Sequence, residues 1–222
     1  MQTLTKILLD HEMDQHLLTD SQLARVIDGS AQRRYSLVNR AIKSGELHRL
    51  RRGAYLVTTH YREYKFHPFA IAQHLKPGSY ISLETALAHH GWIPEAVYAT
   101  ASVVPGRKSS EFSDGLFGHF SYHPLSLNRG YFLELVSRES VNRKTSLIAR
   151  PLRALMDLVC LRKLEWQGLD WIEGSLRIDI EVLSAVDSAQ LRILQRIYKQ
   201  KRMQQFMIEL GKALDMELRH EA

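Results

Sequence analysis

Cysteine is nearly missing from this chain: Cys160 is the only one among 222 residues. A single thiol closes no disulfide within one chain, which excludes a disulfide-stapled scaffold and makes a cytoplasmic location the expectation. Cys160 sits in the apolar stretch 154–161 and reads as a small buried hydrophobe. No apolar run approaches the roughly 20 residues a helix needs to cross a bilayer, so no membrane partner is expected. The opening MQTLTKILLDHEMDQ has no basic stretch followed by an apolar block, and no signal peptide is expected either. Internal repeats and low-complexity segments are absent. A glycine-rich phosphate cradle is absent too, since Pro105-Gly106-Arg107-Lys108 reads as a charged turn and not a strand-to-helix loop.

What is present is positive charge, concentrated in one place. Residues 31–65 hold nine Lys/Arg (Arg33, Arg34, Arg40, Lys43, Arg49, Arg51, Arg52, Arg62, Lys65) against Glu46 and Glu63. That window is therefore +7 in a chain whose total is +6. A cluster of this kind on a small element is the electrostatic footprint of docking on a phosphate backbone. Apolar spacing around it predicts three helices: one near 3–13, a second capped by Thr19 and ending at Asp28-Gly29, and a third capped by Ser30 and stopped at Gly45. Leu47 and Leu50, then Tyr55 and Val57, make two short strands around an Arg51-Arg52-Gly53 tip. Three helices and a two-stranded ribbon read as a winged helix-turn-helix over residues 1–65.

Helical projection of the third helix from Val38 places Arg34, Tyr35, Ala41 and Ile42 beside the inner face. Arg33, Ser36, Arg40 and Lys43 fall opposite, with Gln32 and Asn39 at the margin. Arginine can pair with guanine O6/N7, while Gln and Asn can read adenine. The candidate DNA-contacting set is Ser30, Gln32, Arg33, Arg34, Ser36, Asn39, Arg40, Lys43, Arg49, Arg51 and Arg52. The competing reading is a solvated charged face, or a basic surface for an acidic protein partner.

Beyond residue 66 the composition changes, and residues 66–222 read as a mixed α+β domain ending in helices. Helices are expected from His67-Pro68 through His74, from Ser82 to Gly91, and over 150–163. Strands are expected at 96–104, 115–123 and 131–136. Ser82 reads as an N-cap and Gly91 as a positive-φ stop. Asp157 in an apolar helix needs a partner, and Arg153 one turn earlier shares its face. Trp92 beside Pro94 reads as a core anchor. Phe117, Phe120 and Tyr122 suit either sheet packing or an aromatic platform for single-stranded nucleic acid. The apolar stripe from Val186 to Leu214, interrupted at 199–202, suits core packing or an interface with a second copy or a partner.

Four stretches stand out, SGELHRLRRGAYLV (44–57), PGSYISLETALAHHGWIPEAV (77–97), GLFGHFSYHPL (115–125) and SLIARPLRALMDLVCL (146–161). They resemble the AbiEi-type antitoxin family, the DNA-binding partners in type IV toxin–antitoxin operons. The family patterns behind them are Arg-Gly-x-Tyr, Tyr-x-Ser-x-x-(Ser/Thr)-Ala-Leu followed by His-Gly, and Ala-x-Pro-x-(Arg/Lys)-Ala-Leu-x-Asp. The resemblance covers roughly residues 18–161. It implies an N-terminal domain that binds double-stranded DNA at its own promoter as a repressor. It also implies a C-terminal domain that counteracts a cognate nucleotidyltransferase-type toxin, with or without direct contact, as in phage-defence operons. Paired promoter half-sites are expected, occupied by a protein that is a monomer or weak dimer in solution.

Catalysis is not expected, and neither is a cofactor. Gly174-Ser175 and Asp179-x-Glu181 imitate a nucleotidyltransferase pattern, but only three residues intervene between Ser175 and Asp179, where that fold separates the glycine from the carboxylates by a helical segment of about ten residues. A metal-dependent nuclease needs clustered carboxylates with a lysine, and Val182-Leu183 follow Glu181 instead. The eleven histidines include His67 and His74, seven apart, and the neighbours His89-His90, which on a regular helix point apart. None has zinc-finger or zincin spacing. A DNA-targeted enzyme therefore remains the disfavoured rival.

Overall fold

The computed structural model describes residues 3–58, 65–95 and 97–215. Within them the chain forms ten helices and two sheets, a mixed α+β protein divided into two units, Met1–His67 and Pro68–Ala222. Arg62 and Glu63, counted in the basic window, and Ala96, expected to open a strand, lie outside the described residues. No helix among the described residues is long and apolar enough to cross a membrane.

The first unit runs α1 (Leu4–Asp10), β1 (Leu17–Thr19), α2 (Asp20–Val26), α3 (Ala31–Lys43), β2 (Leu47–Arg51) and β3 (Ala54–Val57). Its sheet is antiparallel in the order β1-β3-β2. Leu8, Leu18, Leu23, Ile27, Leu37, Val38 and Leu47 close one core between the three helices and the sheet. Thr19 ends β1 and starts α2 with a reciprocal cap: its hydroxyl accepts from Gln22 N, and Gln22 Oε1 accepts from Thr19 N at 2.8 Å. The expected helices are all present, the first as the shorter Leu4–Asp10. Strand β1 was not expected. Three residues with only Leu18 turned inward are too few to display a period of two.

The second unit carries a six-stranded sheet in the order β6-β7-β5-β4-β9-β8. Its strands are β4 (Tyr80–Ile81), β5 (Ala99–Val104), β6 (Ser110–Asp114), β7 (Gly118–Pro124), β8 (Val136–Val141) and β9 (Lys144–Ala149). Pairs β4/β9 and β5/β7 are parallel, and the others antiparallel. Helices α4 (Pro68–Leu75), α5 (Leu83–His89) and α6 (Pro151–Arg162) are followed by α7 (Leu169–Leu176), α8 (Ile180–Ser184), α9 (Ser188–Gln195) and α10 (Lys201–Ala213). The expected strand at 131–136 is a turn, in which Leu135 takes φ +54, and the strand begins where that turn ends. Both outer strands, β6 and β8, are polar and half-exposed along their length, so hydrophobic patterning did not disclose them. Residues 115–117 are likewise outside β7, which Gly118 opens at φ +84.

Asp157 is where four segments of this unit meet. Arg153 and Asp157 are both completely buried on α6, with Arg153 Nε 2.9 Å from Asp157 Oδ1. Tyr198 donates to Oδ1 at 2.7 Å, while Tyr80 and Ser82 donate to Oδ2 at 2.9 and 2.8 Å. Arg153 in turn donates through Nη2 to the Tyr80 hydroxyl at 2.7 Å and through Nη1 to the Glu134 carbonyl at 3.0 Å. Its guanidinium lies over the rings of both Tyr80 and Tyr198, 5.4 and 5.5 Å from their centres. Burial first, then the Asp157 charge, pushes both phenols well above their ordinary range. The expected pairing with Arg153 is thus present. The expected cap by Ser82 is not: its hydroxyl is spent on Asp157, and no side chain caps α5. Leu83 follows at φ +57, a left-handed conformation that costs about 1–3 kcal/mol in a branched residue. Packing around Asp157 overrides the local preference.

Removing one partner of a buried ion pair strands the other, at about 3–5 kcal/mol. Asp157→Asn is expected to lose that much in urea unfolding followed by tryptophan fluorescence, which reports this unit alone because Trp92, Trp166 and Trp171 all lie in it. Ser82→Ala should cost about 1.5–3 kcal/mol, as a lost hydrogen bond to a charge and not a lost cap. Losses under about 1 kcal/mol in both variants would contradict this account.

Candidate nucleic-acid interface

Ser30 fixes the start of α3 by accepting from Arg33 N at 3.2 Å, and Ser44 and Gly45 end it, the latter at φ +74. Three residues on this helix are buried: Leu37, Val38 and Ala41. Projection from Val38 alone misses the centre of that face, because Leu37 and Ala41 both lie to one side. Averaging the three turns the outward direction by about 50° at 100° per residue. The outward stripe becomes Gln32, Ser36, Asn39 and Lys43. Tyr35, expected beside the inner face, is 66% exposed. Arg33 and Arg40 move to the far flank. Leu37 and Ala41, together with Val38, carry that direction in the sequence itself.

The ribbon beside α3 turns at Arg51, Arg52 and Gly53. A register irregularity between Arg49 and Arg51 tilts the tip, and Arg49, Arg51 and Arg52 are all exposed. Gly53 is required on two counts: its φ is +78, and a Cβ there would stand 3.0 Å from the Asp20 carboxylate. Asp20 also accepts from the Tyr55 hydroxyl. Burial first, and then the Asp20 charge, raises that phenol above its ordinary value. Asp20 therefore buttresses the ribbon from the start of α2.

Between α2, α3 and the ribbon lies a groove of about 990 Å³. Four arginines line it, Arg34, Arg49, Arg51 and Arg52, together with Tyr35 and Asn39, against Asp20 as the one acid. The candidate set of the sequence is thus divided. Arg34, Asn39, Arg49, Arg51 and Arg52 share this groove. Arg40 and Lys43 line a second hollow on the other side of α3, with Thr3, Leu4 and Glu46. Arg33 folds its aliphatic stem against Gly29. Arg34 is engaged as well, donating to the Gly29 carbonyl at 2.9 Å, and Arg40 Nε points to the Ser36 carbonyl at 3.4 Å. Gln32 is exposed, Ser36 is half-buried and Ser30 acts as the cap. Asp20 and Tyr35 were missed from the sequence.

In the second unit, Gly174-Ser175 lies within α7, and Asp179 caps α8 by accepting from Glu181 N at 2.8 Å. Phe120 and Tyr122 are buried in the sheet, which removes the exposed aromatic platform. Trp92 is half-buried at the rim of a hollow formed with Pro151, Leu152 and Val186, while its neighbour Ile93 enters the core. The C-terminal stripe is mostly interior: Ile197, Met203, Phe206, Met207 and Leu210 are buried, and 199–202 separates α9 from α10. Cys160 is buried, and burial above all pushes its thiol up to about 11. His89 and His90 do not point apart; their ring centres are 5.1 Å from one another.

No protein-family model matches the chain, and no curated protein matches it either.

The division of α3 generates a test against duplex DNA. Asn39→Ala is expected to relax the preference for one base pair by about 1–3 kcal/mol, and Tyr35→Ala to weaken binding measurably. Arg33→Ala, on the far flank, should leave sequence preference unchanged in anisotropy titrations with single-base operator variants. A base-specific loss in Arg33→Ala with none in Asn39→Ala would restore the face drawn from Val38.

Proposed function

We propose that this chain is a DNA-binding transcriptional repressor and the antitoxin of a type IV toxin–antitoxin operon, with the first unit a winged helix-turn-helix. The observation that carries the DNA-binding part is the groove in which Arg49, Arg51 and Arg52 of the ribbon meet Arg34, Tyr35 and Asn39 of α3. The order helix–strand–helix–helix–strand–strand, with β3 central in the sheet, supports the winged reading. In this geometry α3 enters a major groove, where Gln32 and Asn39 are suited to adenine edges. Arg51 and Arg52 reach the adjoining phosphates, which position the protein without reading sequence. Tyr35 lines the same groove and can pack on sugar or a thymine methyl.

The antitoxic part rests on the resemblance of 77–97, 115–125 and 146–161 to the AbiEi-type family. Tyr80, Ser82, Arg153 and Asp157 from those segments are all buried around one ion pair. Their role is to hold the unit together, so the surface that counteracts a toxin is to be sought among its exposed residues. Promoter occupancy by two copies follows from specificity: one winged helix reads too few base pairs to stand out among genomic competitors.

If about six phosphates are neutralised per protomer, log K falls with log salt at a slope near −5. Arg51→Ala with Arg52→Ala should weaken binding to every duplex alike and reduce that slope by about 2. Footprinting of the chain's own promoter should show two protected half-sites separated by whole turns of about 10–10.5 base pairs. Undiminished binding by the double variant would overturn the role of the ribbon, and no binding to duplex DNA even at low salt would favour an acidic protein partner over DNA.

A further inference from the structure

His89 ends α5, and His90 is its C-cap, with φ −87 and ψ 1. Neighbours within a regular helix project about 100° apart, but at this helix end the two imidazoles stand edge to face, 5.1 Å between centres. Glu139 reaches them from β8, with Oε2 2.9 Å from His89 Nε2. One ligand-competent atom from each of the three residues lies within 4.8 Å of the other two.

The groups behind these three are arranged as supports. His90 Nε2 lies 2.9 Å from the Ala149 carbonyl, a partner that accepts only, so this nitrogen carries the proton and Nδ1 keeps its lone pair. A histidine ligand oriented by donating its other N–H to a backbone carbonyl is the usual outer-layer arrangement at a metal. Glu139 Oε1 accepts from Ser137 Oγ at 3.0 Å. Partial burial by itself would raise the Glu139 carboxyl; the hydrogen bonds from His89 and Ser137 outweigh it and hold the group below its ordinary range. Phe69 stands edge-on to the His89 ring at 5.3 Å and fixes its plane. His89 and Glu139 keep 27% and 30% of their side chains exposed, which leaves a path for an ion.

We propose that His89, His90 and Glu139 bind one zinc ion, or a transition-metal dication of similar preference, with at least one coordination position open to solvent. Two imidazoles and a carboxylate are the donors that zinc takes at three-ligand sites, whereas magnesium and calcium prefer all-oxygen sets. Bond lengths of about 2.0–2.2 Å bring tetrahedral ligand atoms to about 3.3–3.6 Å from each other. The His89–Glu139 pair, at 2.9 Å, opens by a few tenths of an ångström to reach that spacing, and the rest of the set, within 4.8 Å, closes by side-chain adjustment. Coordination replaces the His89–Glu139 hydrogen bond and ties the end of α5 to β8. Both elements belong to the second unit, so the site does not depend on the DNA-binding reading.

The full chain, stripped with chelator, should take up one equivalent of zinc in competition with a chromophoric chelator, with a dissociation constant in the micromolar range or tighter. A hundredfold excess of magnesium should leave that uptake unchanged. His89→Gln and Glu139→Gln should each weaken it tenfold or more and abolish the rise in unfolding temperature that zinc gives the parent chain. A readout free of substitutions accompanies these: the imidazole C–H resonances of His89 and His90 should move on zinc addition while those of the remaining histidines stay. No saturable uptake below 100 µM, uptake of equal affinity in both variants, or resonance shifts confined to other histidines would each overturn the site.

Discussion

Taking a carboxylate and a guanidinium out of water costs several kcal/mol per ion before any pairing is counted, and the second unit does so at its centre. Asp157 has no exposed surface, and its two oxygens accept from Arg153, Tyr198, Tyr80 and Ser82. Each donor comes with its own element: α6 supplies the ion pair, β4 brings Tyr80, the start of α5 brings Ser82, and the approach to α10 brings Tyr198. Hydrophobic burial alone would tolerate small slips between these elements. A charge that needs every donor does not, because a shift of one element leaves a buried oxygen unsatisfied. The left-handed Leu83 and the uncapped start of α5 are local costs accepted for that arrangement.

Much of this was legible in the chain and some was not, for reasons that differ residue by residue. Thr19, Ser30 and Gly45 announced helix ends because capping is a local contest between a side chain and its own backbone. The Arg153–Asp157 pair was legible for the same reason, being one helical turn apart. Tyr198 was not: it lies 41 residues from Asp157, and nothing in its neighbourhood marks it as a buried donor. Strands β6 and β8 escaped because sheet edges that alternate between half-exposed and exposed carry no apolar signal. Ser82 was read as a cap because its position is that of one, and a partner 75 residues away decided otherwise.

The candidate interface shows a similar limit in finer detail. Charge counting pointed to α3 and the ribbon, and these do enclose one basic groove. It did not say which side of α3 faces that groove. Sidedness depends on the full buried set, Leu37 and Ala41 with Val38, and on where the ribbon folds back. Hence Tyr35 emerges at the surface, Arg33 settles against Gly29, and Asp20, an acid in a basic neighbourhood, proves to be the strut under Gly53 and Tyr55. The two histidines at the end of α5 teach the same lesson: regular-helix geometry separates them, and the cap residue brings them together.

The long reach of the Asp157 network also bears on how the protein is made. The core of the first unit draws only on residues between Leu4 and Val57, and so is available to the nascent chain early. Asp157 must wait for Tyr198, about 130 residues after the first unit ends, which at elongation rates of about 5–20 residues per second is roughly 7–26 s. For that interval the ribosome carries a complete first unit tethered to a second one whose central charge is still open to water. In that state the first unit has closed its core before its companion has, so the timing of translation separates the two units as surely as their cores do.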